Sequence, residues 1–106
     1  MSDFPNSSRV YSLLGLAARG RNLVSGEFST ENAVKEGKAE LVMVSEDASS
    51  NTKKLFHDKC SFYQVPIYEF GTKETLGKAI GKELRASLAV TDNGLADSII
   101  KYLEES

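Results

Sequence analysis

Apolar positions recur along this chain at two spacings, and the alternation between them lays out the fold. Val10, Leu13, Leu14 and Ala17 repeat at three and four residues and form one stripe of a first helix. Ser7 or Ser8 is placed to cap it and Gly20 to stop it. Asn22-Leu23-Val24-Ser25 reads as a brief strand, and Gly26 opens a second helix over Glu27 to Glu36. That helix carries an acid in its first turn, where the macrodipole favours one, and Gly37 is placed to end it in a left-handed turn.

Leu41-Val42-Met43-Val44 is a continuous apolar run of strand length, expected to be buried on both faces. Ser49 or Ser50 caps a third helix with Thr52, Leu55, Phe56, Lys59 and Cys60 on one face. Val65 to Phe70 is the next strand, and Pro66 at its start points to an edge position. Thr72 caps a short helix bearing Leu76, Ala79 and Ile80; Leu88-Ala89-Val90 is the last strand. Asp92 caps a final helix with Leu95, Ile99, Ile100 and Leu103 facing inward. The resulting α-β-α-β-α-β-α-β-α order predicts an α/β domain with helices on both faces of one sheet. No repeat or linker divides it, so residues 1–106 read as a single domain.

Composition narrows the class. The chain is 41% hydrophobic and 26% charged, ordinary for a globular protein, and no segment is long and apolar enough to span a membrane. The first ten residues lack the order of a secretory signal, and Cys60 is the only cysteine, which excludes an internal disulfide. A cytoplasmic protein is expected. The net charge of −2 argues against a generic DNA coat, and no DNA partner is expected. The charge is uneven, however. Arg9, Arg19 and Arg21 occupy an acid-free stretch, and Lys73, Lys78, Lys82 and Arg85 outnumber Glu74 and Glu83 in residues 71–85. From Asp92 onward, Lys101 stands against Asp92, Asp97, Glu104 and Glu105. These counts allow a basic edge opposite an acidic end, and equally charges scattered for solubility.

Catalytic chemistry finds little support. His57 is the single histidine and reads as a solvated surface residue; Cys60, on an apolar helix face, reads as a small core residue. One histidine and one cysteine cannot close a zinc site. Glu46-Asp47 after a strand is read as a turn in which Asp47 bonds its own backbone, since no nucleophile or second carboxylate pair accompanies it. Gly77-Lys78-Ala79-Ile80-Gly81-Lys82 fails as a phosphate loop: three residues separate its glycines and Glu83 follows the lysine. Gly77 is better placed as a point where another backbone packs closely. Glycines at Gly20 and Gly26, at the mouths of elements, suit the approach of a phosphate as well as they suit plain connections.

Three blocks carry a family resemblance. Gly26, a helix, and Gly37-Lys38-Ala39-Glu40-Leu41-Val42-Met43-Val44-Ser45-Glu46-Asp47-Ala48 resemble the kink-turn-binding ribosomal proteins of the L7Ae family. So does Thr75-Leu76-Gly77-Lys78-Ala79-Ile80-Gly81 leading to Ser87-Leu88-Ala89-Val90. Leu14 to Arg21 and the cap near Asp92 look most like its short bacterial YlxQ branch, and the resemblance spans about residues 8–104. It implies a three-layer α-β-α sandwich with a mixed four-stranded sheet, no catalysis, no cofactor or metal, and structured or ribosomal RNA as partner. It also implies an RNA site in three pieces: Ser25, Gly26, Glu27, Phe28 and Ser29 with Asn32; Glu46 and Asp47; and Lys82 to Ala86, including Leu84 and Arg85.

The chain departs from the family inside that site. Kink-turn binders carry Asn or Lys and then Glu or Gln in the first turn of the second helix, with a cation one turn on; here these are Phe28, Ser29 and Asn32. Base edges are read by such polar groups, so a standard kink-turn is the weaker expectation. Phe28 either stacks on an unpaired base or turns into the core. Arg19 and Arg21 restore positive charge if their helix end lies near the same edge. The leading expectation is a non-enzymatic binder of bent or bulged RNA. Its rival is a protein-interaction module that kept the fold and lost the RNA site.

Overall fold

The computed structural model describes residues 6–105. Its nine elements follow the expected order: α1 (Ser7–Arg19), β1 (Leu23–Ser25), α2 (Glu27–Lys35), β2 (Leu41–Val44), α3 (Ser50–Tyr63), β3 (Ile67–Glu69), α4 (Lys73–Ala79), β4 (Ser87–Val90) and α5 (Asn93–Glu104). The strands form one mixed sheet in the order β1-β4-β2-β3. β4 runs antiparallel to both β1 and β2, while β2 and β3 are parallel.

Side chains alternate across the two central strands and so build two cores. Leu41, Met43, Leu88 and Val90 meet Val10 and Leu14 of α1, Leu76 of α4 and Ile99 and Leu103 of α5. Val42, Val44 and Ala89 meet Ala33 and Val34 of α2 and Phe56 and Cys60 of α3. The result is the three-layer sandwich. β2 and β4 are buried at every position, as the apolar run predicts, and β1 and β3 form the half-buried edges.

Capping residues decide where the helices begin. Ser49, Thr72 and Asp92 each accept the backbone N–H three residues on, and Thr72 and Thr75 close a reciprocal capping box. Three expectations need correction. α1 starts after Asn6 without a side-chain cap, so neither Ser7 nor Ser8 caps it. Gly20 ends α1 with ordinary negative φ, and it is Arg21 that turns left-handed at φ 60°. The strand expected over Val65 to Phe70 shrinks to Ile67–Glu69, where β2 supplies a partner for pairing.

Gly77 is required by close approach. A Cβ there would stand 2.1 Å from the Glu83 carbonyl oxygen, inside any tolerable contact. The segment after α4 therefore folds back along that helix. Lys82 N–H donates to Gly77 O at 2.8 Å and Arg85 N–H to Lys73 O at 3.0 Å, which fixes residues 82–85 against α4 from its C-terminus toward its start.

Candidate nucleic-acid interface

The C-terminal ends of β1, β2 and β3 and the start of β4 meet at one end of the sheet, because Ser25 pairs with Leu88, and Val44 with both Ser87 and Glu69. Most of the expected site residues assemble there. Gly26 adopts φ 92°, donates its N–H to Ser87 O at 3.0 Å, and passes the chain directly into α2. α3, α4 and α5 carry side-chain caps, but α2 has none. Its first intrahelical donor among the opening residues is Thr30, which bonds Gly26 O. The N–H groups of Glu27, Phe28 and Ser29 thus face outward at the positive end of the helix dipole, where an oxygen acceptor is favoured.

Two large apolar side chains stand in water at this end. Phe28 is 78% exposed, which resolves its two readings in favour of the outward one, and Leu84 is 58% exposed. Leu84 is held out by its neighbour: Arg85 Nε donates to Ser25 Oγ at 2.9 Å and Nη1 to Leu84 O at 2.8 Å. Arg85 therefore clamps the loop to the end of β1, using two of its donors within the protein. Asn32 lies half-buried one turn into α2, Ser29 and Glu27 are exposed beside Phe28, and Lys82 is exposed on the loop.

The carboxylate pair lies on the other side of this end. Asp47 does not simply bond its own backbone. Its Oδ1 accepts the Lys73 N–H at 2.9 Å and so adds a cap to α4. Desolvation, the largest single influence, would raise the Asp47 carboxyl; the hydrogen bonds it accepts, led by the Lys73 N–H, together with the Lys73 charge outweigh it and hold the carboxyl below its ordinary value. Glu46 N–H donates to Gly71 O, and both residues line a cleft of about 530 Å³ with Tyr11 and Thr75. The arginines of the first helix divide. Arg19 lies beside the C-terminal end of α4. Arg21 precedes β1, at the end of the sheet where Thr91 N–H bonds Asn22 O, away from Ser25.

Elsewhere, His57 is not simply solvated: its Nε2 lies 2.8 Å from Glu69 Oε2, and Lys53 Nζ is 3.3 Å from Oε1. The His57 hydrogen bond, opposed by desolvation and aided by Lys53, lowers the Glu69 carboxyl. Burial raises the Cys60 thiol to about 11, in keeping with a core residue. Among the described residues no three His, Cys, Asp or Glu side chains come together as a metal site, and no helix is long and apolar enough to cross a membrane. Sequence reasoning missed the Ser25–Arg85 clamp and the Asp47–Lys73 cap. Both join segments far apart in the chain, and no local pattern announces either.

Known proteins share this architecture. Residues 8–100 match the family described as ribosomal protein L7Ae/L30e/S12e/Gadd45. The chain is 46% identical over 94 residues to the RNA-binding protein YlxQ of Bacillus subtilis (strain 168), covering 89% of this chain and 94% of that protein. It is 37% identical to the RNA-binding protein YlxQ of Enterococcus faecium over 93% of this chain and 95% of its relative. A protein of unknown function from Bacillus halodurans C superposes with a TM-score of 0.89 at 42% identity, covering 92% of this chain and 98% of the other. The Giardia lamblia 15.5kD RNA binding protein superposes at 0.81 with 22% identity over 98% and 92%, a likeness of fold. The chain belongs to the ribosomal protein L7Ae family, in its YlxQ-like branch.

Proposed function

We propose that this chain is a non-enzymatic, cytoplasmic RNA-binding protein that holds a bent or bulged RNA, kink-turn-like or ribosomal, on the end of the sheet where α2 begins. One observation carries the reading: the uncapped N-terminus of α2 opens between two exposed apolar side chains, Phe28 and Leu84. Outward N–H groups suit phosphate or base oxygens, and a ring and an isobutyl group beside them suit an unstacked base. The names of the YlxQ relatives and the family membership support it.

The grip differs from one built on polar base readers. Phe28 and Ser29 offer a π-face, a hydroxyl and backbone donors, which select an extruded base and a bent backbone more than a sequence. Gel-shift titration against a kink-turn duplex and purified ribosomal RNA tests this. Binding is expected at low salt, weakened roughly tenfold or more by Phe28→Ala or Leu84→Ala, since base stacking contributes about 1–3 kcal/mol per base. Absence of binding to either RNA overturns the proposal.

A rival reading, a protein-interaction module, draws on the same departures at Phe28, Ser29 and Asn32. It predicts that partners recovered from cell extract are proteins and remain bound after nuclease treatment.

A further inference from the structure

We propose that the cleft between α1 and α4 is a second phosphate subsite, in which Arg19 and Lys78 hold one backbone phosphate of the bound RNA. This rests on the RNA-binding reading and extends the footprint to a helix pair outside the end of the sheet described above.

The cleft is about 380 Å³ and opens where α1 crosses the C-terminal half of α4. Gly15 permits the crossing: a Cβ there would stand 3.0 Å from Ala79 O. Arg19 Nη1 lies 3.3 Å from the same point, so the guanidinium folds back over Gly15 and sits at the crossing. Lys78 lines the α4 wall, and no carboxylate residue lines the cleft.

Charge pairing divides the cations of the molecule. Lys35, Lys38, Lys53, Lys54 and Lys59 each lie within 4.0 Å of a carboxylate. Among the described residues, Arg9, Arg19, Arg21, Lys73, Lys78, Lys82, Arg85 and Lys101 form no such ion pair, and of these Arg19 and Lys78 line the acid-free cleft between α1 and α4. Two cations without an ion-pair partner, lining one concave acid-free site, are complementary to a phosphate. The site is also continuous with the proposed interface. Gly81 forms its rim, and the chain runs from there through Lys82 to Leu84. An RNA whose extruded base rests on Leu84 carries its backbone toward this rim.

A purely structural alternative exists. Arg19 beside the end of α4 can neutralise that helix's C-terminal carbonyls, which needs no RNA. Salt dependence separates the two roles. Dissociation constants of the full chain for a kink-turn duplex and for ribosomal RNA are measured across a salt series, with thermal unfolding as a parallel readout. The Arg19→Gln/Lys78→Gln double variant is expected to lower the slope of log K against log salt by about one, the loss of one phosphate contact. Affinity should fall to a similar degree for both RNAs. Arg19→Lys/Lys78→Arg should keep the wild-type slope, and Lys54→Gln should leave it unchanged. An unchanged slope in the double variant, with or without a lower unfolding temperature, overturns the subsite while leaving the RNA-binding reading in place. Failure of the wild-type chain to bind either RNA overturns both.

Discussion

The two helical layers of this sandwich treat their cations in opposite ways. On the α2–α3 side, lysines are tied to neighbouring carboxylates: Lys59 to Glu31 at 3.7 Å, Lys53 to Glu69 at 3.3 Å and Lys54 to Asp58 at 3.0 Å. On the α1–α4 side and its following loop, Arg19, Lys78 and Lys82 have no carboxylate within 4.0 Å among the described residues. A cation already neutralised by its own protein releases few counterions from RNA; an unpaired one contributes its full share. The net charge of −2 therefore conceals a molecule in which the lysines of one layer are ion-paired and the cations of the other are not.

That contrast is most severely tested by displacing the loop that joins the unpaired layer to the end of the sheet. Gly77→Val forces the Glu83 carbonyl away, because even a Cβ would approach it to 2.1 Å. Overpacking of this kind costs about 1–3 kcal/mol, read as a lower urea midpoint, and RNA affinity should fall more than in any surface variant because Leu84 and Lys82 move together. A variant that binds RNA like the wild type would show that the loop takes no part. Next in size, Phe28→Ala and Leu84→Ala should weaken RNA binding about tenfold or more, yet leave stability within about 0.5 kcal/mol, since both side chains stand in water.

The paired and unpaired lysines can then be compared directly. Lys82→Gln should lower the salt slope of RNA binding by about one, whereas Lys54→Gln on the balanced layer should not change it. Equal effects of the two would erase the distinction. The smallest effect belongs to pH. His57 and Lys53 lower the Glu69 carboxyl below its ordinary value of 4.5. Folding thus gains from this ionised carboxylate above that value, and the gain is lost as pH falls through the lowered one. Urea midpoints measured down an acidic series should decline less steeply in His57→Gln than in wild type; identical profiles would remove the Glu69 contribution.

Much of the fold was legible from local pattern. The unbroken apolar run Leu41–Val44 announced a central strand, and the serine pair Ser49-Ser50, Thr72 and Asp92 announced helix starts, because caps and alternation act over a few residues. Gly77 was readable as a close approach because no local turn required it. The site was less legible. Phe28 stands at a helix opening, where too few turns exist for periodicity to assign a face. Arg85 meets Ser25 across 60 residues and Asp47 meets Lys73 across 26, so both roles depend on the assembled sheet. The separation of Arg19 from Arg21 also escaped sequence, since a left-handed residue at Arg21 redirects the chain between them and β1.

Cys60 gives the balanced layer a clock of its own. Its sulfur is almost wholly enclosed behind α3, and burial lifts its thiol to about 11, so little thiolate exists near neutrality and an alkylating reagent has no path to it. Modification then requires α3 to lift from the sheet, and the rate of labelling reports how often it does. With no second cysteine to trap an opened state, each excursion closes again unless a reagent arrives first. The single thiol therefore measures the breathing of the layer opposite α1 and α4 in the unaltered chain, with or without RNA present.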